Sequence, residues 1–89
     1  MTSFLGMDIQ AVRSLSSQLA AKADEIDSIA SMLTSQLNGV QWLGPDADMF
    51  RNDWQSTHRV QLNTVASALR DASMRATSNA NQQEQASGS

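Results

Sequence analysis

The chain has 89 residues, four glycines, one proline, no cysteine and a formal net charge of −3. That length holds one domain at most, and the missing cysteine excludes disulfides and thiolate metal sites. The acidic balance argues against nucleic acid, whose phosphates require a basic face, and no run of about 18 apolar residues is present to span a membrane.

Residues 1–7 read as a short lead. It has neither the basic segment nor the apolar segment of a conventional signal peptide, so any export is expected to use another route. Asp8 is the expected N-cap of a first helix over 8–38, because its carboxylate can accept free N–H groups of the first turn. Met7 and Val12 stand at the two positions of a hydrophobic staple. Apolar residues then recur at steps of three or four: Ile9, Val12, Leu15, Leu19, Ala23, Ile26, Ile29 or Ala30, Leu33, Leu37 and Val40. Such a series is one narrow stripe on a long helix. At about 1.5 Å per residue, such a helix is about 45 Å long.

A turn is predicted over 39–44. Asn38 and Gly39 tolerate the left-handed conformation in which many helices end. Gly44 reads as a backbone requirement, for positive φ or for close approach beside the Trp42 indole. Pro45 suits the first position of a helix, where its missing N–H has no partner to lose. Asp46 and Asp48 follow where the helix dipole favours negative charge. A second helix is predicted over 45–77, with Ala47, Phe50, Trp54, then Thr57 or His58, then Gln61 or Leu62, Val65, Leu69, Ala72 and Ala76 on its stripe. The pattern weakens around His58 and Gln61, so its register there is ambiguous. Residues 78–89 contain only Ser, Asn, Gln, Ala, Gly and Glu84, and are expected to form a disordered tail.

The expected architecture is all-α: an antiparallel helix-turn-helix hairpin over 8–77. Folding about Leu43 would bring Asp27 to the region of Arg59 and Arg13 to that of Asp71. Two helices cannot enclose a core, and a chain this small buries a poor fraction of its surface. Association into a four-helix bundle is the economical remedy. The expected hairpin and dimer core comprises Val12, Leu15, Leu19, Ile26, Leu33, Leu37, Phe50, Trp54, Leu62, Val65 and Leu69.

No catalytic, cofactor or metal constellation is recognisable. His58 is the single histidine and has no ligating companions. Asp24, Glu25 and Asp27 read as a solvated face, and Met32, Met49 and Met74 as adaptable packing residues. An enzyme is not expected, since no nucleophile–base pair or phosphate loop is present. Action at a membrane surface is a minor alternative; it favours a basic polar face, and here six Lys and Arg stand against nine acids.

Trp42-Leu43-Gly44 is a Trp-x-Gly turn between two long helices, with Phe50 and Trp54 following on the second. On these residues the chain resembles the WXG-motif small proteins, the early-secretory-antigen-like substrates of type VII secretion systems. The likeness covers roughly residues 8–78. It implies hairpins that pair antiparallel into four-helix bundles, with themselves or with a related WXG-motif protein. It also implies actinobacterial or Gram-positive export by a membrane ATPase, without a cleaved signal. Trp42 and Gly44 would then form the turn half of the export signal. The family's other half is a Tyr-x-x-x-Asp/Glu motif after the second helix. The chain has no tyrosine, and nothing between Met74 and Ser89 matches. Two readings follow: a secreted substrate or export partner, or a cytoplasmic adaptor retained to cap a larger toxin.

Overall fold

The computed structural model describes residues 7–88, which leaves most of the predicted lead outside the described residues. The described residues are helical apart from the turn, and form two antiparallel arms in a rod of 66 × 17 × 15 Å. The first arm, α1 (Ile9–Gly39), starts at Asp8, whose carboxylate accepts the Ala11 N–H at 3.1 Å. Its end differs from expectation. Gly39 does not turn left-handed; the chain leaves through extended Val40, whose N–H donates to the Gln36 carbonyl at 3.0 Å.

The positive φ belongs instead to Gly44, at φ 120° and ψ 173°. Nothing lies within 4 Å of where its Cβ would stand, so the requirement is conformational and not steric. Pro45 then opens α2 (Pro45–Asp53), with Asp46 and Asp48 in its first turn. A π-helical turn over Trp54–His58 follows, and α3 (Arg59–Gly88) completes a second continuous arm. That arm runs on as helix to Gly88, where a disordered tail was expected beyond 77.

The π-helical turn explains why the second stripe weakened in its middle. Ala47, Trp54, Leu62, Leu69, Ala76 and Gln83 form one row, and Arg51, Arg59, Ala66, Ser73 and Ala80 a second. Each row steps by seven residues except once, by eight, across Trp54–His58. One inserted residue shifts the phase of the pattern, and a π-bulge is how a helix absorbs it without breaking.

The seam between the arms is built from small side chains. Ser16, Ala23 and Ala30 recur every seven residues on α1 and are buried; Ala47, Trp54, Ala66 and Ala80 are buried on the second arm. Val12, Leu19, Ile26 and Leu33, expected at the centre, stand beside it and are half-buried. Small residues permit close interaxial approach. The Ser16 hydroxyl reaches the Ser73 carbonyl at 2.7 Å, and the Ser73 hydroxyl reaches the Ser16 carbonyl at 2.8 Å. Among the described residues, no large side chain is fully buried within the single hairpin.

Candidate functional site

The turn is held by a residue that the sequence pattern did not single out. Helix α1 has no basic residue in its last turn, so its terminal carbonyls lack a local counter-charge. Arg51 supplies one from the other arm. Its Nε donates to the Leu37 carbonyl at 3.0 Å, Nη1 to the Trp42 carbonyl at 2.8 Å and Nη2 to the Val40 carbonyl at 3.2 Å. A planar fork of donors is suited to three carbonyls in one arc; an ammonium is not. The one available clue was that no basic residue intervenes between Lys22 and Arg51.

The same guanidinium lies 5.9 Å from the Trp42 ring centroid, within cation–π range. Trp42 also meets Phe50, with centroids 5.8 Å apart and planes at 53°. Trp42 thus holds the turn together and remains 40% exposed. Next to it Leu43 is 83% exposed. Trp54 points the other way, into the seam. It is buried, and its indole N–H donates to the Thr34 hydroxyl at 2.8 Å, which in turn donates to the Ala30 carbonyl at 2.7 Å.

On either side of the seam the hairpin has unlike faces. One flank of α1 carries Arg13, Ala20, Asp27 and Thr34 at seven-residue intervals; the other carries Val12, Leu19, Ile26, Leu33 and Val40. On α3 the corresponding flanks are Asn63, Arg70, Thr77 and Glu84 against Leu62, Leu69 and Ala76. The polar flanks meet. Arg70 bonds Asp24 at 2.8 Å and also Asp27, while Arg13 bonds both Glu84 oxygens at 3.0 and 3.1 Å and Asn81 at 3.0 Å. Hydrogen bonding to the carboxylates raises the pKa of Arg70, through Asp24 first and then Asp27, and that of Arg13 through Glu84; Arg13 in turn holds Glu84 below the ordinary range.

The predicted ion pairing is therefore corrected. Asp27 shares a shallow groove with Arg59 but bonds Arg70, and Arg13 finds Glu84 in place of Asp71. Part of the reason is register: folding about Leu43 would set Arg70 opposite Ser16, whereas Ser73 stands there; side-chain direction adds the rest. Helical side chains lean toward their own N-terminus, so in antiparallel arms they lean toward each other. Long partners meet about two turns away from the residue directly opposite.

The apolar flanks have no partner in the hairpin to cover them fully. Val12, Leu19, Ile26, Leu33, Leu37, Leu62 and Leu69 are half-buried. Leu15, Phe50 and Val65 are 51%, 46% and 47% exposed, and Ile29 beside them is also exposed. Of the expected core residues, the single hairpin buries only Trp54.

Among the described residues, no group of three or more His, Cys, Asp and Glu is placed to hold a metal ion. No helix among them is long and apolar enough to cross a membrane. Compared with family models, curated proteins and solved structures, the chain matches none.

Proposed function

We propose that this chain is a non-enzymatic interaction protein, one half of a four-helix bundle that it completes with a second copy or a related hairpin. The observation that carries the reading is the one-sided apolar flank. Every large apolar residue at Val12, Leu15, Leu19, Ile26, Ile29 and Leu33 falls on the flank that the polar contacts leave free. A solitary hairpin would gain nothing from that segregation. Each half-exposed side chain moved into a bundle interior contributes about 1 kcal/mol, so several together outweigh the cost of association. On the second arm bulk also tapers along the flank, from Phe50 near the turn through Leu62 and Leu69 to Ala76 far from it. Antiparallel pairing sets the wide end of one hairpin on the narrow end of the other.

The Trp-x-Gly resemblance supports a place in type VII-like secretion, as a substrate or export partner recognised at the Trp42 turn. That these 89 residues contain no Tyr-x-x-x-Asp/Glu match favours a second reading, an adaptor that stays with a larger exported partner. Sedimentation of the purified chain tests the bundle: a monomer at micromolar concentration with full helicity sinks it. Recovery from culture medium only when the secretion ATPase is intact supports the export reading; retention in the cytosol supports the adaptor.

A further inference from the structure

Residues 78–88 present a conflict between composition and structure. They contain no large apolar side chain, and their Ser, Asn and Gln are mediocre helix formers. A helical end of that kind frays unless something holds it. Yet α3 continues through them to Gly88. Ala80 and Arg13 fasten the segment to α1. Ala80 is completely buried, the last small residue of the seam. Arg13, only 32% exposed, spans the adjacent two turns, donating to both Glu84 oxygens and to the Asn81 side-chain carbonyl. Immediately before the segment, Thr77 bonds Ser16, where the hydroxyl cluster of Ser16, Ser73 and Thr77 ties the arms firmly.

We infer that residues 78–88 form a strap that opens and closes on α1 as a separate unit, with Arg13 as its clasp and the Ser16–Ser73 pair as its hinge line. Closed, the strap covers the N-terminal end of the α1 seam beside Ile9 and Arg13. Open, it is a polar, solvated peptide, and that end of α1 is bared. The rest of the hairpin keeps its own fastenings: the Arg51 fork, the Trp54–Thr34 bond and the Arg70 pairs. The clasp is a charge pair at the surface, so raised salt loosens it by screening. The strap does not depend on the bundle proposed above.

Amide hydrogen exchange read residue by residue on the full chain tests this directly. In Arg13→Ala and in Glu84→Gln, amides 80–86 exchange at least about tenfold faster than in the parent, while amides 18–36 and 59–72 are unchanged. The reversed pair, Arg13→Glu with Glu84→Arg, restores the protection. In the parent, added salt speeds exchange over 80–86. Equal protection of 80–86 in parent and both variants overturns the proposal, because the clasp then holds nothing. Loss of protection spread over both arms, or wholesale unfolding of either variant, also overturns it, since strap and hairpin would be one cooperative unit.

Discussion

Ser16 and Ser73 exchange hydroxyl-to-carbonyl hydrogen bonds across the seam, each donating to the other's backbone. Ser16 is 4% exposed and is the one buried polar residue among those described. The neighbouring seam positions are alanines on both arms, and alanine rows pair about equally well when slid by one heptad. The serine pair distinguishes the registers, because a slide would leave a buried hydroxyl opposite a methyl group. Ser16→Ala alone is expected to cost about 0.5–1.5 kcal/mol, since it removes the Ser16 hydroxyl bonds to Ser73 and Thr77 while the Ser73 hydroxyl keeps the Ser16 carbonyl as its acceptor. Ser16→Ala with Ser73→Ala is expected to cost more than the single change, because both reciprocal bonds are lost, and to loosen the register. Cysteine pairs introduced across the seam report this cleanly, because the chain has no cysteine of its own. Cross-links between positions one heptad out of register should form only in the double variant.

Removal of the Arg51 fork is expected to melt the turn first. Arg51→Ala removes the donor to the Leu37 carbonyl of α1 and to the Val40 and Trp42 carbonyls of the turn, and the cation over Trp42, at a cost of about 1–3 kcal/mol in chemical denaturation. Arg51→Lys is expected to recover little of this, because one ammonium cannot reach the arc of carbonyls that a guanidinium spans. Trp42 fluorescence should shift toward a solvent-exposed spectrum in both variants, with Trp54 replaced by Phe to isolate the signal.

The two glycines flanking the turn should respond in opposite directions to alanine. Gly44 sits at φ 120°, a conformation almost confined to glycine, so Gly44→Ala is expected to destabilise by about 1–3 kcal/mol. Gly39 has no positive φ, and nothing stands within 4 Å of its absent Cβ. Gly39→Ala is therefore expected to stabilise by about 0.4–1 kcal/mol, by restricting the unfolded chain. Thermal unfolding of the two variants beside the parent reads both signs.

These contrasts mark how far the sequence could be read. Asp8, Gly44 and Pro45 act through local chemistry, and local chemistry is visible in a string of letters. Both arms were visible too, since a heptad of large apolar residues is hard to mistake. The centre of the seam was not. A count of large side chains lands on Leu19 and Ile26, whereas close approach puts Ser16, Ala23 and Ala30 inside. The π-helical turn showed only as a blurred stretch near His58, because a single inserted residue looks like noise until the rows on both sides are aligned. Arg51 and the strap escaped for a related reason. Both depend on partners in the other arm, 14 residues away for Arg51 and Leu37 and 71 for Glu84 and Arg13, and no periodicity reports such a pairing.

Acid should loosen the strap before the rest of the rod. Glu84 is held below its ordinary value of 4.5 by hydrogen bonding to Arg13. A depressed folded-state pKa means the unfolded segment binds its proton more readily, so stability rises with pH in that range. The contribution is complete above the ordinary carboxylate value and is lost as pH falls through the depressed one. Exchange over 80–86, corrected for the intrinsic pH dependence of amide exchange, should therefore lose protection on acidification below that value in the parent. In Glu84→Gln the acid-induced loss should be absent, with protection low throughout. A parent and variant with parallel acid profiles would show that Glu84 does not carry the transition.

The apolar flank makes the last and broadest demand. Leu15→Asp with Val65→Asp places two charges on half-exposed positions of that flank, one on each arm. If bundle formation buries them, the assembly is lost, because an unpaired buried carboxylate costs several kcal/mol. The seam itself is untouched, so the variant should retain its hairpin helicity at concentrations high enough to saturate the signal, while its sedimenting mass falls to that of one chain. Ser17→Asp with Ser67→Asp puts the same charges on the opposite, polar side and should leave the mass unchanged. A parent that already sediments as one chain, or a pair of variants that behave alike, would mean that the segregation of large residues onto one flank serves something other than pairing between hairpins.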